Sequence, residues 1–424
     1  MNFILENKIE DFFEYKKIKD IFKISNGKSQ KKVESSSGLY PIYGTGGVMG
    51  YSKEKLNDGN SFIIGRKGTI DNPIFIKEPY WSIDTAFNTK DFKINPFYCF
   101  LLFKKIDILK YKSGGVLPSL TQKDLNEIEL LVPKEVDYCN KVVEIYNQQQ
   151  KLIDLYKEKL SILEQQESHY QDELLSGRLR IRLTKESMDY AIQQGWVEDG
   201  DVVNGKEEGF ESWLSEDFEN KVEFYENQDW CLFDENHKKK EYPVDFSKKK
   251  VKDFFNCRMG KTILKKNVKE KGKIPVYSAT EEDKYFGYIE ESDLVLKRGD
   301  LVISARGSIG FIKFVREKVT ATQTNIVAEK KKIDSYYVMK KLMWLKNKKE
   351  IFYFSGGAIP QLTVKDFNDY DLIIPSDLEM AFFSIFTKKI SCFKNLIEEK
   401  IKVEEEKMEY LMDELLSGRI RIEE

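Results

Sequence analysis

Histidine is the scarcest of the chemistry-bearing side chains: His169 and His237 are the only two in 424 residues. That nearly excludes a Ser–His–Asp nucleophile and multi-histidine metal catalysis. Five cysteines without a C-x-x-C pair argue against a disulfide framework and against a zinc site. Methyl transfer to adenine calls for an Asn/Asp-Pro-Pro-aromatic motif. The nearest match, Asn72-Pro-Ile-Phe75, lacks the second proline and reads better as a turn before a strand. No G-x-x-x-x-G-K-[ST] loop is present to cradle a triphosphate, and no convincing glycine-rich cofactor turn sits between a strand and a helix. Glu14-Tyr-Lys16 resembles a fragment of a nuclease site, yet such triplets arise by chance where 33% of residues are charged. The polar pattern that does recur is of another kind. Lys67-Gly-Thr-Ile70 and Arg306-Gly-Ser-Ile309 set a cation and a hydroxyl around a glycine, where backbone can approach a ligand closely.

The elements behind these residues belong to a soluble, multi-domain chain. Its length suggests two to four domains, and 41% apolar content suffices for real cores. The longest apolar run, Phe97–Phe103, is far too short to span a bilayer. The first twenty residues carry too many Glu, Asp and Lys for a signal peptide, so the expected compartment is the cytoplasm. A formal net charge of −2 hides a strong asymmetry. Residues 1–133 carry 20 Lys/Arg against 16 Asp/Glu, and residues 246–375 carry 27 against 16, a net of +11. The stretch 183–237 has three basic and sixteen acidic residues, a net of −13. The basic excess of 246–375 points to a polyanion partner.

The chain repeats itself. Ser113–Pro133 aligns without gaps on Ser355–Pro375, with 11 of 21 positions identical, and Asp172-ELLSGRLRI-181 matches Asp413-ELLSGRIRI-422. Weaker echoes relate Lys19–Lys28 to Lys252–Lys261 and Tyr40–Tyr51 to Ile274–Tyr288. Each copy opens with short β-branched or aromatic runs, namely 61–65 and 73–76, then 300–304 and 311–315. Short aromatic helices follow around 97–105 and 336–344, and Gly44-Thr-Gly-Gly47 reads as a loop. Each copy closes with a long helix. An apolar seam through Val142, Ile145, Gln149, Leu152, Tyr156, Leu160, Leu163, Glu167, Tyr170 and Leu174 returns 241 residues later, from Phe383 through Phe393 and Ile401 to Leu415. Two matched helices ending at Ser-Gly predict an antiparallel coiled coil.

These motifs together resemble the DNA-specificity subunits of type I restriction–modification systems. The resemblance rests on the Y-P-I-Y-G-T-G-G-V-M-G-Y run at 40–51, the SGG…P-x-L-T-x-K-D segments at 113–124 and 355–366, and the twin D-E-L-L-S-G-R helix ends. It implies an α+β chain of two tandem, mostly-β target-recognition domains, each followed by a long helix. The corresponding boundaries are recognition domain 1 at 1–133, helix 134–177, an acidic connector 178–245, recognition domain 2 at 246–375, helix 376–418 and a tail 419–424. It also implies a non-catalytic subunit that binds double-stranded DNA as a split target, one half per domain. The helices would set the gap and dock two methyltransferase subunits, with Leu152, Leu160, Leu174, Phe393, Ile401 and Leu415 as partner-binding positions. Restriction/translocase subunits complete such a complex. S-adenosylmethionine and ATP with magnesium would then act on the partner subunits, and this chain would hold no cofactor or metal.

Base readers and phosphate binders are expected on the glycine-bearing loops. In the first domain these are Lys28, Tyr43, Thr45, Arg66, Lys67, Thr69 and Asn88. In the second they are Arg258, Lys261, Ser278, Thr280, Arg306, Ser308, Thr322, Gln323 and Asn325, with Lys28 matched to Lys261, Thr69 to Ser308 and Asn88 to Asn325. The segment 183–245 has no counterpart in the first copy and contains Trp196, Trp213 and Trp230. It reads as an extended acidic connector with local structure, or as a segment that docks on a basic surface, competing with DNA or contacting a partner subunit. A coiled-coil adaptor with duplicated protein-binding β domains is the rival reading, and the basic excess of 246–375 counts against it.

Overall fold

The computed structural model describes residues 3–5, 9–112, 119–195, 197–198, 201–202, 212–214, 216–236, 238–331, 334–352 and 360–422. Both SGG tripeptides and Trp196 lie outside the described residues. The chain divides into two compact units, Met1–Lys159 with Ile397–Glu424 and Leu160–Leu396, so each unit draws on both halves of the sequence.

The first unit is organised by Ser61–Gly65, a β-branched and aromatic strand buried along its whole length. It sits inside an antiparallel sheet of order Lys23–Asn26, Ala86–Lys90, Ser61–Gly65, Ile74–Ile76. A second sheet pairs Tyr40–Gly44 with Gly47–Ser52 (antiparallel) and with Trp81–Ser82 (parallel). The Gly44-Thr-Gly-Gly47 run is therefore the tip of a hairpin: Gly44 closes one strand, and Gly47 opens the next at φ +117°, a backbone conformation that glycine alone adopts readily. Helix Pro96–Lys104 starts where Asn95 accepts from the backbone of Phe97 and Tyr98, with proline at the first turn. It buries Tyr98 and Phe103 against Phe62 and Phe22, and the Phe22 and Phe62 rings meet edge-on at 5.3 Å.

The second unit repeats this arrangement strand for strand. Its four-stranded sheet runs Phe255–Met259, Asn325–Lys330, Leu301–Ser304, Ile312–Phe314. Its three-stranded sheet joins Ile274–Tyr277 to Gly287–Ile289 (antiparallel) and to Thr320–Ala321 (parallel). Helix Ser335–Asn347 is capped by Asp334 in the manner of Asn95.

The two long helices span Val136–Ser176 and Asp377–Leu416, within two residues of the sequence expectation. They run antiparallel. In the first unit Tyr138 donates to the Leu415 carbonyl at 3.2 Å, and Lys157 pairs with Glu405 at 2.7 Å. In the second unit Lys394 pairs with Glu167 at 2.9 Å, and Tyr170 meets Phe386 edge-on at 5.4 Å. One expected seam position is displaced: Phe393 is 59% exposed, and Lys394 turns inward instead. Glu167, on the facing helix, is a carboxylate in a poorly hydrated seam and requires a cation, which a phenyl ring cannot supply.

The repeated D-E-L-L-S-G-R motif is the termination of these helices. Gly177 and Gly418 take φ +80° and +71°, and their N–H groups return to Leu174 and Leu415. Arg178 folds back on Asp172 and Glu173, and Arg419 on Glu414. Each helix then runs into a strand. Leu179–Leu183 pairs antiparallel with Val222–Glu226 in the second unit, and Ile420–Ile422 pairs antiparallel with Phe3–Leu5 in the first. The N-terminal strand thus occupies the place that Val222–Glu226 takes in the other copy.

The acidic segment is folded where it is described, not extended. Besides Val222–Glu226 it contains helix Lys185–Gln193 and a hairpin of Trp230–Glu235 with Lys238–Pro243. Tyr190 and Trp213 stack at 5.4 Å. The hairpin is fixed by a buried polar cluster in which Tyr242 donates to Glu235 and Lys240 pairs with Glu350. Lys341, at the position where the first domain has the core residue Leu102, donates to the Leu175 carbonyl at 3.0 Å and lies over the Tyr242 and Trp344 rings. Burial lowers its pKa to about 8. Among the described residues no helix is long and apolar enough to cross a membrane.

Each unit is completed by segments from both halves, so the two halves are expected to associate without a covalent link between them. Residues 1–198 and 212–424 expressed as separate chains should co-purify in a 1:1 ratio by size exclusion. Recovery of one fragment without the other would contradict the strand and helix pairings described above.

Candidate nucleic-acid interface

The predicted site residues gather, in each unit, around one short length of backbone. In the first it is Ser82–Ala86. The Ser82 carbonyl accepts from Lys28 N–H at 3.0 Å, Thr85 from Arg66 N–H at 2.8 Å, and Ala86 from Gly27 N–H at 2.9 Å, while Ile83 N–H donates to Tyr43 at 3.1 Å. Three loops are thereby drawn together. Glycine at 27 is required by closeness, since a Cβ there would lie 2.0 Å from the Ile83 oxygen. In the second unit the same bonds recur on Ala321–Asn325. Lys261 N–H donates to Ala321, Ala305 to Thr324, Gly260 to Asn325, and Thr322 N–H to Tyr277, all at 2.9 Å.

The P-x-L-T-x-K-D motif locks this hub from outside. Thr121 and Thr363 cap short helices by accepting from Asp124 and Asp366 N–H. The buried Leu120 and Leu362 donate to the carbonyls of Arg66 and Ala305 at 3.0 and 2.9 Å. The next residues, Lys67-Gly68-Thr69 and Arg306-Gly307-Ser308, therefore project on equivalent turns, with Gly68 and Gly307 at φ +83° and +72°. Lys67 is the structural counterpart of Arg306, and Arg66 corresponds to Ala305.

Individual positions vary in exposure. Lys28, Lys67, Thr69, Thr280, Arg306 and Gln323 are exposed, and Thr45, Arg66, Ser278 and Ser308 are half-buried. Arg306 carries no ion pair among the described residues, whereas Arg258 is held by Glu329 at 2.6 Å and Lys261 by Asp293. Tyr43 is half-buried and donates to Glu78 at 2.9 Å; burial and that bond push its hydroxyl up to about 12, so it stays protonated.

Three positions point inward. Asn88 is 1% exposed and its carbonyl accepts from Ser82 Oγ at 2.6 Å. Asn325 is fully buried, donating to Thr322 Oγ1 at 3.0 Å, and Thr322 itself shares a 2.8 Å bond with Thr324. The pairing of Asn88 with Asn325 is corrected by register: Asn88 lies opposite Ile63 as Val327 lies opposite Val302, so Asn325 corresponds to Ala86. Of the partner-binding positions, Leu174 and Leu415 sit in domain cores, Ile401 is buried, and Leu152 and Leu160 are half-buried.

Lys313 went unnoticed in the sequence. It is buried on strand Ile312–Phe314, donates to the Ser278 carbonyl at 2.9 Å and to Thr280 Oγ1 at 3.1 Å, and lies 4.9 Å from the Tyr277 ring centroid. Burial lowers its pKa. It props up the loop bordering an open cleft of about 650 Å³ lined by Ser278, Thr280, Glu281, Tyr285 and Ser308. A lysine inside an otherwise apolar strand was the available signal.

Comparison with known proteins decides what such a duplicated hub belongs to. The family described as type I restriction modification DNA specificity domain matches residues 10–165 and again 243–408. The chain belongs to this family. The type I restriction enzyme EcoprrI specificity subunit of Escherichia coli is 31% identical over 106 residues, which cover 24% of this chain and 26% of that relative's length. The S subunit of a type I restriction–modification system from M. genitalium shares the fold at a TM-score of 0.55 and 14% identity, over 99% of both chains. A chain from a structure concerning complex assembly and conformational transition of the type I R-M system has a TM-score of 0.50 at 11% identity, over 97% of this chain and 98% of that one. The adaptor reading is not favoured.

In this specificity chain, exposed and inward-facing hub residues should separate experimentally. Arg306→Ala should leave thermal stability within about 0.5 kcal/mol, yet weaken DNA binding by the assembled complex by ~1–3 kcal/mol. Asn325→Ala should instead lower stability by ~1–3 kcal/mol in denaturant titration, because it strands buried hydrogen-bonding groups.

Proposed function

We propose that this chain is the target-reading subunit of a type I restriction–modification complex, with each recognition domain contacting one half of a split, asymmetric sequence in double-stranded DNA. The observation that carries this reading is the repetition of one hub with different side chains upon it. The scaffold bonds recur, while Lys67 is replaced by Arg306 and the glycine-rich hairpin tip by Ser278-Ala-Thr-Glu281. Equal scaffolds with unequal exposed groups suit two different base sequences.

Chemistry is assigned to the partners. In this reading the chain transfers no methyl group and cuts no DNA. Two methyltransferase subunits bring S-adenosylmethionine, and a restriction/translocase subunit brings ATP and magnesium. The complex works in the cytoplasm, where the chain's free cysteines stay reduced. The long helices dock the methyltransferases, with the outward-facing Phe393 available to them.

The purified chain alone should leave DNA unmethylated and uncut. Added to its methyltransferase partner it should confer specific duplex binding, measured by mobility shift. Methylation by the partner-free chain would contradict the assignment. The helices are also expected to fix the gap between half-sites. Four residues inserted after Leu160 add about one helical turn, ~6 Å. That is close to two base pairs at ~3.4 Å each, so the unspecified gap should widen while both half-sites persist. An active variant with an unchanged gap would limit the helices to holding subunits.

A further inference from the structure

The positive charge of the second recognition domain is concentrated. Of the net +11 carried by residues 246–375, the thirteen residues Lys261–Lys273 hold six lysines and one glutamate, a net of +5. The corresponding loop of the first domain, Lys28–Leu39, holds three lysines and one glutamate. This loop also borders the hub. It departs at Thr262, whose hydroxyl donates to Gln323 Oε1 at 2.7 Å. It then runs along strand Gly287–Ile289, where Lys269 and Tyr288 exchange backbone bonds at 2.9 Å. That strand follows directly on the segment that lines the open cleft.

Two of the six lysines are already neutralised, Lys261 by Asp293 and Lys269 by Glu290. Lys265, Lys266, Lys271 and Lys273 are exposed and make no ion pair among the described residues. Four ammonium groups within nine residues repel one another, a cost that a polyanion reverses. A lysine is a point charge without the planar fork used to read a base edge bidentately, and it matches a phosphate oxygen better.

We propose that the Lys261–Lys273 loop is a phosphate clamp, in which Lys265, Lys266, Lys271 and Lys273 grip the DNA backbone beside the half-site of the second domain without reading bases. The proposal rests on the DNA-specificity reading above. It makes the second domain the stronger electrostatic anchor, because the first domain's loop carries half as many lysines.

The test uses the chain assembled with its methyltransferase partner, in wild-type form, as K265Q/K266Q/K271Q/K273Q, and with the same four lysines changed to arginine. Affinity is measured against salt concentration for cognate duplex and for duplex with the second half-site scrambled. At ~0.9 per phosphate contact, the glutamine variant should flatten the slope of log K against log salt by about three to four. Its preference for cognate over scrambled DNA should stay within about twofold of wild type, and the arginine variant should keep the wild-type slope, as backbone contacts carry no sequence information. An unchanged slope in the glutamine variant overturns the clamp. So does a collapse of the cognate preference at an unchanged slope, which would make these lysines base readers. A wild-type complex indifferent to scrambling would overturn the specificity reading, and the slope comparison would still decide the clamp.

Discussion

Each recognition domain hangs on the hydrogen bonds of one short backbone stretch, Ser82–Ala86 in the first and Ala321–Asn325 in the second. A loop that must face a ligand cannot bury its own polar groups, so its ends need fixed partners elsewhere. Here three loops find them on the same stretch, with bond lengths of 2.8 to 3.1 Å for the first unit's principal contacts. The close approach this demands explains Gly27 and Gly260, whose added Cβ would lie 2.0 and 2.3 Å from a carbonyl oxygen. Side chains beyond the hub are then free to vary without disturbing it. That separation lets one fold serve two different recognition surfaces.

The helices show the same division between scaffold and variable part. Both end at a left-handed glycine, and the following arginine returns to the acidic residues of the last turn. Each end delivers the chain to a strand that pairs antiparallel, with Val222–Glu226 in one unit and with the N-terminal Phe3–Leu5 in the other. The duplication is therefore complete at the level of strands, although sequence similarity at those two partners is slight. Of what the second copy adds, helix Lys185–Gln193 packs its Met188 and Ala191 into the apolar core, and the hairpin around Trp230 is tied down by buried charge. Lys341, Glu235 and Tyr242 occupy a region where the first copy keeps Leu102.

Much of this was legible in the sequence because duplication shows itself twice. The strands at 61–65 and 301–304, the helix ends and the antiparallel seam all follow from local pattern. The misreadings have specific physical origins. Asn88 and Asn325 share a residue type but not a register, since the two copies drift from an offset of 233 at Lys28/Lys261 to 239 at Thr69/Ser308. The seam through Phe393 followed apolarity, whereas the half-buried Glu167 selected Lys394, the residue next to Phe393. The P-x-L-T-x-K-D motif reads as a surface signature. Its threonine is a helix cap and its leucine a buried strut for the Arg306 turn, roles that only tertiary contact reveals. The acidic segment is more folded than its composition implies: a net of −13 reads as an extended connector with local structure, and its scattered aromatics supply the packing.

Two hubs with unlike exposed groups should read two separate stretches of DNA. Binding-site selection from random duplexes, with the chain assembled on its methyltransferase partner, tests it most directly. Two unlike blocks of specified bases separated by a gap of fixed length are expected, with exchange of the Arg306-Gly307-Ser308 turn for Lys67-Gly68-Thr69 altering one block and sparing the other. A single continuous block, or two blocks that change together, would contradict it.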